Sequence, residues 1–268
     1  MVTYKQKEKY KIDDLLEIIS ILRSEDGCPW DKVQTHKSIR NDFLEEVCEA
    51  IEAIDLDDEA LLREELGDVL LQVAFHCTIE NEKKHFTFDD VCDEVCKKLI
   101  VRHPHVFADT KADSEDEVLK NWDQIKKETK QQKTYTDTLK SVANTLPALM
   151  KAQKVGKRAM RAGFDFETTD DAFSKLESEV GELKEAISLN DSSKIEDELG
   201  DVLFSCTNVA RKTGIDSELA LVNATKKFVA RFEAVEKIVN EQGKDMTSLS
   251  LEELDEIWNQ VKKQSSVK

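Results

Sequence analysis

Apolar residues recur every three or four positions along most of the chain, a spacing that places them on one face of an α-helix. The stretch from Ile12 to Leu22 is the first clear example. No stretch of useful length alternates apolar and polar residues as a half-buried strand would. The chain has only 8 glycines and 3 prolines, so its helices are joined by few tight turns. The pattern therefore predicts an all-α fold.

The first half is predicted to contain five helices. They cover about 12–22, 38–54, a stretch to 82 capped by Asp57 or Asp58, a stretch from Thr87 to 101, and a stretch from a capping box at Ser114 and Glu117 through Trp122 to 130. In the second half we expect helices at about 138–161, closed by Gly163, and at 170–189, 191–213 and 216–240. A last helix is expected through Trp258, capped by Ser250 and Glu253.

The acidic residues repeat between the two halves. Each acid of the second set lies 133 positions after its counterpart in the first, and six consecutive residues, beginning with E-L-G-D, are identical in both copies. The first set is Glu46, Glu49, Glu65 and Asp68, and the second is Glu179, Glu182, Glu198 and Asp201. The repeat predicts two tandem, related helical bundles of about four to five helices each. We place the domains at 1–132 and 138–268, with a polar linker at about 130–137.

The spacing of these acids has a direct physical meaning. Two acids three positions apart share one helix face, and the gap of sixteen positions lets a second helix return alongside the first. Four carboxylates would then point at one spot, where they repel one another unless a cation neutralises them. Ligands that offer only oxygen suit hard divalent ions, Mg2+ first and Mn2+ as a substitute. The alternative is a solvent-exposed acidic helix face, which is common in a chain with 56 acidic residues.

Two lysines lie one helical turn before the acids in the second half, and the first half has no counterpart to them, although its Lys98 and Arg102 match Lys227 and Arg231. Lys175 and Lys194 each lie four positions before an acid of the second set, whereas the corresponding first-half residues are Asp42 and Leu61. Lys227 and Arg231 share another helix face. Such cations suit a metal-bound polyphosphate, and Trp258 offers an indole on which a nucleobase can stack. The alternatives are surface salt bridges for the lysines and ordinary helix packing for the indole.

Charge and hydropathy restrict the class of protein. The net charge of −17 disfavours a nucleic-acid surface and adhesion to acidic membranes. No apolar run approaches the roughly 20 residues that a membrane span needs. Residues 1–14 are too polar for a signal peptide, and the six cysteines are scattered as in proteins with reduced thiols. We therefore expect a cytoplasmic protein.

The chain resembles the MazG family of nucleoside triphosphate pyrophosphohydrolases, in its two-domain form, which is part of the all-α NTP pyrophosphatase superfamily. The resemblance covers nearly the whole length. It rests on Gly27-Cys28-Pro29-Trp30-Asp31, the E-E-x-x-E run at Glu45 to Glu49, E-L-G-D twice, Arg102 to Phe107, Leu146-Pro147-Ala148-Leu149, Gly163-Phe164-Asp165 and Trp258 to Lys262. It implies an all-α homodimer that uses Mg2+ to hydrolyse NTPs and dNTPs to the monophosphate and pyrophosphate. It also implies broad base tolerance and a role in clearing aberrant nucleotides or controlling nucleotide pools.

Carried over by position, the resemblance makes the second acid set the metal ligands and catalytic residues, with activity associated with the second half. The nucleotide contacts that it implies are Lys175, Lys194, Lys227, Arg231, Trp258 and Lys262. The first acid set would form a second, less active metal site. Ser178 replaces the first glutamate of the E-E-x-x-E run, so the proton acceptor is sought at Glu177 or Asp197. The competing hypothesis is a non-catalytic helical dimerisation or regulatory module with a structural cation site.

Overall fold

The described residues, 4–108, 114, 125 and 134–265 of a computed structural model, form helices and turns without a β-strand, which confirms the all-α prediction. The chain separates into two compact units, Met1–Lys126 and Lys127–Lys268. The finer domain boundaries, 1–132 and 138–268, stay predictions. None of the described helices has the length and apolar character needed to cross a bilayer.

The first unit contains six helices within the described residues. They are α1 (Ile12–Arg23), α2 (Pro29–Val33), α3 (Arg40–Asp55), α4 (Glu59–Glu82), α5 (Phe88–Arg102) and α6 (Pro104–Phe107). Two of them, α2 and α6, are short helices that lie outside the helices predicted from the sequence. Both begin with proline, whose preset φ and missing N–H suit the first helical position.

The core of the first unit lies between α1 and α4. It consists of Ile19, Ile39, Ala74, Phe75 and Ile79, all buried. At the end of α4, Arg23 donates two hydrogen bonds to Glu82, at 2.7 and 2.8 Å, and its guanidinium lies 5.1 Å from the centre of the Phe75 ring. These contacts tie the first helix to the helix that carries half of the first acid set.

The second unit also contains six helices within the described residues. They are α7 (Tyr135–Lys140), α8 (Ala148–Arg161), α9 (Thr169–Ser188), α10 (Ser192–Lys212), α11 (Ser217–Glu241) and α12 (Leu251–Ser265), with a 3-10 turn at Met246–Ser248. One buried cluster joins α11 to α12 through Val235, Val239, Ile257 and Val261. The predicted caps of α12 are confirmed, since Ser250 and Glu253 each bond the other's backbone N–H.

The prediction of one helix over 138–161 is wrong. The chain leaves the helix after Lys140 and starts α8 only at Ala148, with Pro147 in an extended conformation before it. Proline disfavours helical geometry in the preceding residue and has no N–H to donate, so the helix breaks there. The apolar periodicity nevertheless continues on both sides of the break. A hydrogen bond links the two sides of this break, because the Arg158 guanidinium donates to the Ser141 hydroxyl at 2.8 Å.

Part of the connection between the units is outside the described residues. This holds for the predicted helix through Trp122 and for residues 130–133 of the predicted linker. The last residues assigned to that linker, Tyr135 to Asp137, are helical and belong to α7, which is a correction. Thr134 caps this helix, because its hydroxyl accepts from the N–H of Asp137 at 3.1 Å while the Asp137 carboxylate accepts from the N–H of Thr134.

Candidate active site

The two acid-bearing helix pairs, α3–α4 and α9–α10, turn in the same way. Asp57 and Asn190 occupy equivalent positions with positive φ, 52° and 53°, a conformation that these residue types tolerate. The next residue caps the returning helix: Asp58 accepts from the N–H groups of Ala60 and Leu61, and Asp191 from that of Lys194. Each turn is so short that the second helix packs back against the first.

The second acid set forms a compact cluster. One carboxylate oxygen from each of Glu179, Glu182 and Glu198 lies within 4.8 Å of the others. Glu179 is buried, at 4% exposure, although carboxylates are rarely buried without a partner. Asp201 lines the same cavity as Glu179, so all four predicted acids meet in one region. Spacing along two helices, three positions within each, is sufficient to bring them together.

The cluster is electrostatically strained. The pKa of Glu198 is raised, first by desolvation and then by the negative charges of Glu182 and Glu179. Asp201 contributes to the same shift. A divalent cation would offset this repulsion, and carboxylate oxygens this close together fit the ligand preference of Mg2+.

Lys175 is the cation that reaches the cluster. Its ammonium forms an ion pair with Glu179, one helical turn away. This hydrogen bond raises the pKa of Lys175, and the charges of Glu182 and Asp201 act in the same direction. Lys194 lies elsewhere, in a shallow depression that it shares with Asp197 and Asp201. The two lysines therefore flank the acids on different sides.

Ser178 is joined to the cluster by a hydrogen bond. Its hydroxyl donates to Glu182 at 3.0 Å, so the residue that replaces the first glutamate of the run orients a metal-ligand candidate. The two proton-acceptor candidates, Glu177 and Asp197, are both exposed. Asp197 shares the depression beside Asp201, whereas no described hydrogen bond connects Glu177 to the acids.

The first acid set is also assembled. Oxygens of Glu46, Glu49 and Glu65 lie within 4.8 Å of one another. The pKa of Glu46 is raised by desolvation and then by Asp68, and that of Glu65 by desolvation and then by Glu49. The first half therefore has the acid geometry of the second, with Asp42 and Leu61 in place of the two lysines.

The remaining predicted contacts lie on α11 and α12. Trp258 packs against the α11–α12 cluster, with its ring 5.1 Å from that of Phe228. Lys227 and Lys262 are exposed. Arg231 is half-buried, and its Nε has no hydrogen-bond partner among the described residues. Neither Lys227 nor Arg231 forms an ion pair with the acids in the part of the chain that the structure describes.

The sequence interpretation missed a cavity of about 700 Å³ beside the second cluster. Its lining includes Glu179, Asp201 and Lys175 together with Phe164 and Arg211. Arg211 pairs with Asp165, which lowers the pKa of that carboxyl group. The only signal in the sequence was the Gly163-Phe164-Asp165 motif, whose role cannot be inferred from spacing along a helix.

Comparison with known proteins adds independent information. The MazG nucleotide pyrophosphohydrolase domain matches twice, at residues 34–107 and 167–236. The nucleoside triphosphate pyrophosphohydrolase of Escherichia coli (strain K12) is 44% identical over 95% of this chain and 98% of that protein. The nucleoside triphosphate pyrophosphohydrolase/pyrophosphatase MazG of Thermotoga maritima is 41% identical over 93% of this chain and 95% of that protein. Bacillus subtilis YabN, an uncharacterized protein, is 43% identical over 91% of this chain and 50% of its own length.

Proposed function

The chain belongs to the MazG nucleotide pyrophosphohydrolase family, and from this premise we propose that it hydrolyses nucleoside triphosphates to the monophosphate and pyrophosphate. We further propose that the reaction depends on Mg2+, accepts ribo- and deoxyribonucleotides with many bases, and occurs in the second unit. Such an activity would clear aberrant nucleotides or control nucleotide pools.

The observation that carries this proposal is the acid cluster of the second unit with its lysine. Three carboxylate oxygens within 4.8 Å of one another, with Asp201 beside them, form a donor set suited to Mg2+. Lys175 adds a positive charge at the same place. A triphosphate needs both, since a metal ion neutralises some of its oxygens and ammonium groups neutralise others. A solvated acidic surface would not bury Glu179 or shift the pKa of Glu198.

The protein's own residues have distinct roles in this scheme. When bound, Mg2+ supplies charge neutralisation on the triphosphate and a lowered pKa for the attacking water. Glu179, Glu182, Glu198 and Asp201 would hold the ion. Lys175 and Lys194 approach the phosphate chain from two sides of the cluster. Asp197, exposed beside Asp201, accepts the proton from water, with Glu177 as the second candidate.

The helices α11 and α12 would complete the phosphate site. Arg231 carries a buried Nε without a described partner, and an anion would satisfy this donor. Lys227 precedes it by one turn, and Trp258 and Lys262 share α12. We propose that these four residues contact the nucleotide once it is bound.

We also propose that the protein acts as a homodimer. On α11 the large apolar side chains Leu221, Phe228 and Phe232 are exposed, at 53%, 56% and 44%. A second copy would cover such a face, which is uncommon on monomers. Sedimentation or light scattering would test this directly, and a monomer at micromolar concentration would contradict it.

The first unit supports a different use of the same geometry. Its acids converge as in the second unit, but the residues at the two lysine positions are Asp42 and Leu61. Lys98 and Arg102 stand at the positions of Lys227 and Arg231, but without the two lysines beside the acids less positive charge would face a triphosphate here. We propose that this cluster holds a cation and contributes less to turnover. The competing hypothesis is that the cation is only structural in both units. It predicts no metal-dependent hydrolysis of NTPs.

A panel of NTPs and dNTPs with Mg2+, scored for pyrophosphate against orthophosphate, tests the activity. Wild-type protein should release pyrophosphate only when Mg2+ is present. Glu179→Ala and Asp201→Ala should abolish this release while the helical content measured by circular dichroism stays unchanged. Retained turnover in both variants would exclude this site, and absence of turnover in wild type would favour the structural cation site.

A further inference from the structure

Two histidine rings meet in the first unit, about two helical turns beyond the last acid of its cluster. His36 lies in the turn at 34–39, between α2 and α3, and His76 lies on α4. Their Nδ1 atoms are 2.7 Å apart, and their ring centres are 5.0 Å apart. On its other side, the Nε2 of His36 is 2.5 Å from a carboxylate oxygen of Glu80, one turn beyond His76. His36 therefore bridges His76 and Glu80, and we call His36 and His76 the histidine pair.

The hydrogens of this row follow from its acceptors. An ionised carboxylate only accepts, so the Nε2 of His36 carries a hydrogen. When both rings are neutral, the Nδ1 of His76 donates to that of His36, and when the pair carries one positive charge, His36 donates to His76. A second positive charge would place a hydrogen on both Nδ1 atoms, which would face each other at 2.7 Å without an acceptor. The contact therefore accommodates one added proton and excludes the second.

Glu80 stays ionised while the histidines titrate. Hydrogen bonds from Lys83, His36 and His85 lower its pKa to about 2. Burial lowers the pKa of His76, and His36 is the only charged group in the described part of the chain that contributes to this shift. The charge of Glu80 thus balances the first proton of the pair, whereas His76 has no carboxylate partner of its own among the described residues.

Few other charges surround the histidine pair. From α1, the guanidinium of Arg23 is paired with Glu82. From α3, Phe43 contributes an aromatic ring, 5.6 Å from that of His76. At the end of α4, Lys83 and His85 both bond Glu80, and neither contributes to the pKa shift of His76. The charge state of the pair is therefore governed by its own protons and by Glu80.

The turn at 34–39 is fastened at its two ends by contacts that do not involve the histidines. Arg23 donates to the Gln34 carbonyl at 3.2 Å, and Ile39 is buried in the core of the first unit. Among the described side chains of residues 35–38, only that of His36 bonds α4. Loss of this contact would free the middle of the turn while its ends stay in place.

We propose that the histidine pair is a pH-dependent contact, which fastens the turn at 34–39 to α4 near neutral pH and releases it when a second proton binds. In the released turn both rings can bind a proton at the ordinary histidine pKa of about 6.5, whereas the closed contact takes one. Because the open form binds more protons, closure is complete above that pH and weakens below it. The second unit has Thr169, Val209 and Thr213 at the equivalent positions, so the response belongs to the first unit.

Hydrogen exchange of the full chain, followed by mass spectrometry at about pH 7.5 and about pH 5.5, tests the proposal. One pH unit below the ordinary histidine pKa, exclusion of the second proton favours the open turn about tenfold. After correction for the intrinsic exchange rate, the protection of residues 34–43 should therefore fall about tenfold between the two pH values. Residues 167–176 of the second unit are the internal reference and should show no such fall.

Two variants separate the pair from the other groups around Glu80. His76→Phe keeps a ring beside His36 but cannot bind a proton, so the fall in protection should disappear. His85→Gln is the matched control, because His85 also bonds Glu80, and it should keep the fall. Equal protection of wild type at both pH values, or a fall that persists in His76→Phe, would overturn the proposal.

A titration of wild type decides the matter even if His76→Phe loses its helical content in circular dichroism. The nitrogen-15 shifts of the two imidazole rings should change in two steps separated by at least about one pH unit, as expected for coupled groups. A single common step, with both rings titrating independently, would also overturn the proposal.

Discussion

Replacing Glu198 by glutamine separates the metal-ligand role of this residue from its role in packing. Glutamine has nearly the same shape and keeps one carbonyl oxygen, but it removes one negative charge from a cluster whose oxygens lie within 4.8 Å. Burial and the charges of Glu182 and Glu179 raise the pKa of Glu198, so the change removes a carboxylate that its neighbours repel. The variant should therefore fold as well as wild type without Mg2+, with an equal or higher melting temperature.

The activity of Glu198→Gln should fall, although its stability does not. Changes in residues that only support metal ligands reduce metal affinity or activity by about 10–100-fold, so loss of a ligand should reduce kcat/KM by at least about 100-fold. Steady-state pyrophosphate release, titrated with Mg2+, measures both the rate and the metal requirement. The matched control is Glu65→Gln, the equivalent change in the first unit, where the residues at the lysine positions are Asp42 and Leu61. We expect it to reduce the rate less than threefold, on the order of a small electrostatic effect. Equal losses in the two variants would refute the division of labour between the units, and full activity of Glu198→Gln would refute the ligand role.

Two further predictions concern stability. Hydrogen bonds from Lys83, His36 and His85 lower the pKa of Glu80 from 4.5 to about 2. Because the pKa is lower in the folded state, the ionised carboxylate stabilises the fold above pH 4.5. This contribution to the free energy of unfolding is lost as the pH falls towards 2. In Glu80→Gln, the urea concentration at the unfolding midpoint of the first unit should fall less steeply as the pH is lowered from 4.5 to 2. The same pH dependence as in wild type would contradict the assignment. In the second unit, Val239 is 0% exposed between α11 and α12, and Val239→Ala removes two buried carbon atoms. The transfer and cavity terms together predict a loss of about 2–3 kcal/mol and a melting temperature lower by roughly 10 °C in calorimetry. The exposed Leu251→Ala should shift it by less than about 2 °C, and equal shifts would show that this cluster does not stabilise the fold.

The helical bundles could be read from the sequence because their signals are local. Asp58 and the Ser250–Glu253 pair cap helices, as their residue types predict. The acid clusters follow from the same local geometry, since residues three apart on a helix share a face and a short turn returns the second helix. The break at Pro147 was missed because the apolar periodicity continues on both sides of it.

The site beyond the acids could not be read in this way. Lys175 and Lys194 have the same spacing from their acids, yet only Lys175 forms an ion pair with the cluster in the described structure. For Trp258 the sequence left base stacking and helix packing as alternatives, and only the structure shows that its ring packs with Phe228. Arg211 and Asp165 meet although they are 46 residues apart, and nothing in either residue's surroundings along the chain predicts the contact.

The sequence by itself determined the helices, their tandem repeat and the convergence of the acids, because the 3.6-residue period of the helix converts spacing into direction. The tertiary structure alone decided where a cavity opens. Phe164, Gly156 and Arg211 come from a loop and two helices, and the space between them depends on how closely those segments pack. The same position holds Asn208 in one unit and Phe75 in the other, and only the packing around each shows that Asn208 lines a cavity whereas Phe75 belongs to the apolar core.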